Sequence, residues 1–240
     1  MRLKTSPGLF LRHIGRLALQ VATMLAFAAP AFPAAPSAHR PIGLTATDEH
    51  LYVAGNRSGS VVQIALTDHR IMRQKKFGAG LEAMAADTEA DHLWLMVRGP
   101  DRLLLVRTGS LKTVDEFALR SDTGELAPAG DGRIALALRW SRRVLFFARR
   151  KDRIQRIGRI DLPFAPGKMA AGPNGRLYVA DAFGGQIASV DPEAGKLLGL
   201  FRIDGHNIRG LAVDPQRRAL RLTHQQLNSR QSTHRNRVFW

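Results

Sequence analysis

The sequence predicts an all-β fold, a β-propeller assembled from repeated units of four short strands, and three observations support it. A short apolar strand recurs with starts at residues 51, 93, 134, 177 and 220, at intervals of 41 to 43 residues. In the first four units a second apolar strand and then a more polar strand follow it. A segment of small residues precedes it in every unit. Four antiparallel strands at this period are typical of a propeller blade.

The fourth unit shows the chemistry of each strand in order. It begins with the small-residue segment Lys168–Gly172, which suits a crowded central channel because Ala and Gly permit close approach. The apolar runs Leu177–Ala180 and Gln186–Val190 are expected for middle strands that pack against neighbouring blades on both faces. The more polar Leu197–Ile203 is expected to form a half-solvated outer strand. Pro173–Gly175 contains residues that favour a tight turn.

The period divides the chain into four complete repeats and part of a fifth. We predict repeats at 41–82, 83–124, 125–166 and 167–208, with the partial repeat at 209–224. Residues 225–240 lack the next apolar strand and are expected to form an irregular, truncated segment. Because an open blade edge exposes unpaired backbone groups, we expect further blades from the same or another chain. An unusually small closed propeller is the alternative.

The N-terminus has the pattern of an export signal, assigned to residues 1–35. Four basic residues and no acid precede the apolar run Leu17–Ala29, and small residues with cleavage-site spacing follow it up to Ser37. The run is too short to span a bilayer, and it is continuous rather than amphipathic as in a mitochondrial transit peptide. The sequence therefore predicts a secreted or periplasmic protein with no transmembrane anchor after signal cleavage.

The amino-acid composition excludes several kinds of site and indicates the charge of the binding partner. The 240 residues include no cysteine, which excludes disulfides, thiol nucleophiles, cysteine-containing zinc sites and covalently attached haem in this chain. The net charge of +16 indicates an anionic partner. Since export argues against nucleic acid, the expected partner is a protein or an anionic polymer in the cell envelope.

The strand motifs resemble a known class of propellers. Gly172–Asp181, Gln186–Asp191 and Gly195–Leu198 together closely resemble one repeat of the NHL/YVTN class, and Leu51–Asn56 with Gly59–Ile64 resembles a second copy. The resemblance implies the fold over roughly residues 41–224. It leaves function open, because propellers host many unrelated activities.

A second resemblance concerns the C-terminal segment. Leu222–Asn228, followed by Val238 and Trp240, resembles a stretch of large secreted bacterial proteins, typical of planctomycetes. In those proteins it joins a YVTN-type propeller to a cytochrome c or di-haem peroxidase-like domain. The resemblance implies that haem is bound only by a missing downstream domain, and that this chain itself holds no cofactor.

The densest basic stretch runs from Arg142 to Arg159 in the third repeat. On an outer strand and its hairpin it would form one cationic edge able to bind an anionic polymer, a redox partner or lipid headgroups. A solvated edge that discourages pairing between strands explains the same residues. His224 is a further candidate, either as a ligand or as a structural hydrogen-bonding group. The predicted binding residues are Arg149, Arg150, Lys151, Arg153 and His224.

No catalytic or metal-ligating residue is assigned. His50 and His92 occupy equivalent turn positions, where they would either converge on a metal or serve as repeated polar turn residues. Asp residues recur between the first and second strands of the repeats. They would either form a carboxylate site in the channel, or serve as ordinary turn residues that hydrogen-bond to the local backbone. They are Asp48, Asp87, Asp131 and Asp214.

The favoured function is an exported binding or scaffold domain of a cell-envelope redox protein, noncatalytic on its own. One alternative is a propeller enzyme such as a metal-dependent lactonase. The other is an extracellular protein or polysaccharide binder that acts through the basic edge.

Overall fold

The computed structural model describes residues 40–87, 91–120, 124–130 and 132–225, and the backbone of 237–239. The predicted signal peptide at 1–35 lies outside the described residues. The described part consists of strands and their turns, with one 3₁₀ turn at Pro173–Gly175. No helix in this part of the chain is long and apolar enough to cross a membrane.

The strands form successive antiparallel sheets in chain order, which we call blades. Blade one contains β1 (Pro41–Ala46), β2 (His50–Gly55), β3 (Ser60–Ala65) and β4 (Ile71–Lys76). Blade two contains β5 (Leu81–Ala86), β6 (His92–Val97), β7 (Arg102–Arg107) and β8 (Thr113–Ala118). Blade three contains β9 (Leu126–Pro128), β10 (Arg133–Leu138), β11 (Arg143–Arg150) and β12 (Arg153–Asp161). Blade four contains β13 (Pro166–Ala171), β14 (Leu177–Asp181), β15 (Gln186–Asp191) and β16 (Lys196–Arg202).

The fifth sheet has three described strands. They are β17 (Ile208–Asp214), β18 (Ala219–His224) and β19 (Arg237–Phe239), in that order across the sheet. β19 lies inside the segment 225–240 that the sequence analysis assigned as irregular. Its backbone pairs with β18 from Ala219 to Arg221, so a strand stands where none was expected.

The prediction of four-stranded antiparallel propeller blades is confirmed. Each blade runs from its inner strand outward without a crossover, as the repeat of short strands and tight turns requires. Blade two starts at Leu81 rather than at residue 83, where the second repeat was predicted to begin. Gly78 and Gly80 take positive φ angles of 141° and 83° just before it, and this is a backbone conformation that glycine adopts without strain.

Burial follows the position of each strand in its blade. The middle strands β6 and β14 are buried at every residue, because both of their faces pack against neighbouring blades. The outer strand β4 is exposed along its whole length, and exposure alternates along β16. The observed burial therefore agrees with the apolar middle strands and polar outer strands that the sequence predicts.

A separate hydrophobic core lies between each pair of neighbouring blades. The core between blades two and three includes Trp94, Leu136 and Phe147, all fully buried, with Phe117 packed edge-on against Phe147. Burying each such large side chain stabilises the fold by about 1.5–3 kcal/mol. Most of the stability of the blade series therefore comes from contacts between adjacent blades.

Blade one exposes apolar side chains on the face that points away from blade two. Leu44 lies opposite Val53 on this face and is 68% exposed. Ile71, opposite Ile64, is also exposed. Middle blades of a propeller bury such faces against the next blade. That further blades from the same or another chain cover this face stays a prediction.

Candidate functional site

The two ends of each blade carry different side chains. We call the end where the second strand turns into the third the upper end, and the end where the third strand turns into the fourth the lower end. In blade three the turn at 139–142 lies at the upper end and the turn at 151–152 at the lower end. Arg142 and Arg143 therefore lie at the upper end and the stretch from Arg149 to Arg153 lies at the lower end, whereas β12 carries Arg159 back towards the upper end.

The inner strands of blades one to four line a cavity of about 540 Å³. Small residues bring these strands together, and a Cβ added to Gly43 would lie only 3.2 Å from Cβ of Met84. Four charged side chains line the cavity: Glu82, Glu125, Arg139 and Lys168. All four belong to the upper halves of their blades.

Two of these charges are paired with each other. Nζ of Lys168 lies 2.6 Å from Oε2 of Glu125. Burial raises the pKa of Glu125, and the hydrogen bond and charge of Lys168 act in the opposite direction. Glu82 lies 3.7 Å from Nε of Arg98. The acidic groups of the cavity therefore each have a basic partner.

Arg139 differs from the other cavity residues. Its Nε is buried and has no hydrogen-bond partner in the described structure. Its side chain lines the main cavity and two smaller ones, of about 200 and 360 Å³. Both smaller cavities are lined by residues of blades three and four, and the first also by the start of the fifth sheet. A buried guanidinium donor without an acceptor costs free energy. An anion bound in any of these cavities would lie beside the Arg139 side chain.

Two exposed aromatic rings stand beside Arg139. Trp140 is 74% exposed and Phe183 is 51% exposed, and their ring centroids are 5.9 Å apart. The guanidinium carbon of Arg139 lies 5.9 Å from the Phe183 ring. Trp140 and Phe183 each lie two residues beyond the second strand of their blade. These equivalent turn positions bring them together at the upper end.

The predicted basic residues lie at the lower end of blade three, and two of them form ion pairs with carboxylates of blade two. Arg149 Nε donates to Oδ2 of Asp87 at 3.2 Å, and Asp87 has only 1% of its side chain exposed. Arg153 Nη1 donates to Oδ1 of Asp115 at 3.1 Å. The structure therefore gives Arg149 and Arg153 partners within the protein, whereas Arg150 at the end of β11 and Lys151 in the turn are exposed.

A histidine lies inside this lower-end cluster. His92 has 2% of its side chain exposed, neither ring nitrogen forms a hydrogen bond with the residues that the structure describes, and Nε2 lies 3.5 Å from Oδ1 of Asp152. Arg107 pairs with the other oxygen of Asp152 at 2.8 Å. Burial lowers the pKa of His92, and the charges of Arg149 and Arg107 lower it further. The cluster favours the neutral imidazole.

His224 and the recurring Asp residues occupy separate places. His224 ends β18 at the upper end, with its ring against Gly205 and a buried Nδ1 that has no hydrogen-bond partner in the described part of the chain. Asp214 pairs with Arg221 and Arg217, which lower its pKa to about 2. Among the residues that the structure describes, no three His, Asp or Glu side chains group as metal ligands. Asp131 lies outside them.

Sequence reasoning missed Arg139, Trp140 and Phe183. The available signal was an aromatic residue at the same turn position in two successive repeats. A turn is normally polar, so a Trp and a Phe there indicate exposed rings. The sequence prediction relied on the density of basic residues, and the densest basic stretch places its predicted binding residues at the lower end of the blade.

Comparison with known proteins supports the fold. No protein-family model and no curated protein matches the sequence. Hydrazine synthase of Kuenenia stuttgartiensis aligns with a TM-score of 0.67 at 14% identity, over 77% of this chain and 55% of that one. A virginiamycin B lyase from Staphylococcus aureus, solved with quinupristin, aligns with a TM-score of 0.64 at 15% identity, over 77% and 63%. The Swd1 β-propeller domain of Myceliophteria thermophila has a TM-score of 0.63 at 15% identity, over 78% and 62%.

These similar structures are β-propeller proteins, so the chain has a β-propeller fold. It spans between 55% and 63% of the length of these three chains. At such low identity the likeness shows the fold alone, since one fold hosts many functions. The narrower resemblance to the NHL/YVTN class and to propeller–haem fusions stays a prediction.

Proposed function

We propose that this chain is a noncatalytic β-propeller binding domain that takes an anionic polymer at the upper end of blades three and four. The observation that carries the proposal is Arg139, whose buried Nε has no acceptor among the described residues and whose side chain lines three cavities. Lys168 lies in two of the same cavities. An anionic group placed there would meet both cations.

Charge over the whole protein supports a polymeric ligand. The net charge of +16 attracts a polyanion over long distances and raises its rate of association, with a strong dependence on salt. The carboxylate of Glu125 matters as well, because it interacts with the charges of both cations and weakens the attraction of Lys168 for an anion more, through the ion pair at 2.6 Å. We therefore place the specific contact at Arg139 and attribute the general attraction to the surface charge.

The test is calorimetric titration of the purified protein with two polyanions, polygalacturonate and inorganic polyphosphate, and with neutral dextran. We expect both polyanions to bind and dextran not to bind. Arg139→Ala should weaken both about tenfold, because a desolvated charge contact is lost. Glu125→Gln should strengthen both, because it removes the carboxylate that neutralises Lys168.

The matched control is Arg150→Ala, which removes one exposed positive charge at the lower end of the same blade. It should leave both affinities within about twofold, because surface charges contribute weakly one by one. Binding of neither polyanion would overturn the proposed function. Equal losses for Arg139→Ala and Arg150→Ala would place the contact on diffuse charge, or on the basic edge that the sequence suggested, and not at the upper end.

We also propose the setting that the sequence predicts, an exported cell-envelope redox protein with haem in a downstream domain. The supports are the signal pattern at 1–35 and the resemblance of Leu222–Asn228 to the joining segment of propeller–haem fusions. The test is the intact mass and visible spectrum of the native protein from its own envelope fraction. A species much larger than 26.4 kDa with a Soret band supports the proposal, and a colourless species of 26.4 kDa or less contradicts it.

A further inference from the structure

The two exposed rings at the upper end form a platform between adjacent blades. Trp140 and Phe183 lie 5.9 Å apart with an angle of 35° between their planes. Large aromatic side chains are seldom left this exposed side by side, because burying them is favourable. Such a pair indicates a ligand or partner with its own apolar face.

The platform is held in place by its turns. The backbone N–H of Phe183 donates to Oδ1 of the buried Asp181 at 3.0 Å. In the neighbouring blade the N–H of Arg142 donates to the carbonyl of Arg139 at 3.3 Å and closes the turn that carries Trp140. Because both turns are fixed before binding, a ligand loses little free energy in ordering the rings.

The two rings line a cavity that polar and charged side chains also line. Its volume is about 360 Å³, within the range of small-molecule pockets. Arg139 and Arg142 supply two positive charges, Asp181 supplies one carboxylate, whose Oδ1 accepts from the Phe183 N–H, and Gln186 supplies an amide. The cavity thus combines two apolar ring faces, two cations, one carboxylate and an amide, so its positive charges outnumber its negative one.

We propose that this cavity binds a hexuronic acid unit of an acidic polysaccharide. A pyranose ring has an apolar face of C–H groups, which packs on the electron-rich faces of Trp140 and Phe183. The carboxylate of the same sugar pairs with the guanidinium of Arg139. Ring hydroxyls bind Asp181 and Gln186. The inference rests on the proposed function and names the class of polymer for the same end of the molecule.

The aromatic platform distinguishes a uronate from other polyanions. Polyphosphate supplies negative charge but has no apolar face, so the two rings add nothing to its binding. A neutral sugar has the apolar face but leaves Arg139 without its acceptor. Only a ligand with both features contacts the two rings and also supplies an anion to Arg139.

The test compares Trp140→Ala and Trp140→Phe with the unaltered protein, using oligogalacturonate and polyphosphate of matched charge. Trp140→Ala should weaken oligogalacturonate binding about tenfold, as truncation of an aromatic anchor does. Its affinity for polyphosphate should stay within about twofold, since the variant changes no charge. Trp140→Phe should recover most of the oligogalacturonate affinity.

Trp fluorescence provides a second measurement. Trp94 is buried, whereas Trp140 is exposed, so oligogalacturonate should shift the emission to shorter wavelength and polyphosphate should not. The shift should disappear in Trp140→Phe. Unchanged oligogalacturonate affinity in Trp140→Ala, or an equal loss for both polyanions, overturns this inference and leaves the proposed function standing. Failure of the unaltered protein to bind either polyanion overturns both.

Discussion

The lower end of blades two and three and the upper end of blades three and four use the same kinds of side chains differently. At the lower end Arg149 pairs with a carboxylate that is 1% exposed, so its charge stabilises the junction of the two blades. At the upper end the Nε of Arg139 is buried without an acceptor, next to two exposed rings. The density of positive charge along the chain therefore does not locate a binding site. A basic side chain is available for a ligand only where the fold does not already supply a hydrogen-bond acceptor for it.

Among the charged residues, we expect the lower-end ion pair to contribute most to stability. Arg149→Ala leaves Asp87 buried without its guanidinium, and breaking such a pair costs about 3 kcal/mol. Chemical denaturation should show this as a lower free energy of unfolding. The adjacent Arg150→Ala removes the same type of side chain from an exposed position, and we expect a change within about 0.5 kcal/mol. Equal effects of the two variants would remove the distinction between a structural and an exposed arginine.

A smaller effect is expected from pH, through His92. Its pKa in the folded protein is lowered from the ordinary value of 6.5, first by burial and then by the charges of Arg149 and Arg107, which outweigh the opposite effects of Asp152 and Asp87. The unfolded chain therefore takes up the proton first as pH falls. Stability that is present above pH 6.5 should decline progressively as the pH falls towards the lowered value.

Thermal unfolding at a series of pH values checks this expectation. The Tm should fall between pH 7.5 and 5.5, and the fall should be shallower in His92→Gln, which carries no titrating imidazole. His206→Gln is the matched control, because His206 is exposed at the upper end. A pH profile unchanged by His92→Gln would show that other groups govern the acid side of the stability curve.

The fold was readable from the sequence, because every blade needs the same alternation of small, apolar and polar strands. The site was not, for two physical reasons. The partner of Arg149 is 62 residues away in the chain, and no local pattern says that a carboxylate there will be buried beside it. Trp140 and Phe183 lie in turns, where strand periodicity carries no information on exposure, and only the packing of blades three and four brings them together.

The smallest expected effect on stability is that of Trp140→Ala, which sharpens the contrast between the two ends. Because Trp140 is 74% exposed, its removal uncovers little apolar surface, and the free energy of unfolding should change by no more than about 0.5 kcal/mol. Trp94→Ala is the control, since the same side chain fully buried between blades two and three should cost about 3–5 kcal/mol. If Trp140→Ala weakens ligand binding without lowering the free energy of unfolding, the upper end is a binding surface. Substantial destabilisation by Trp140→Ala would instead assign its ring to the packing of blades three and four, and the two ends would then differ only in the chemistry of their junctions.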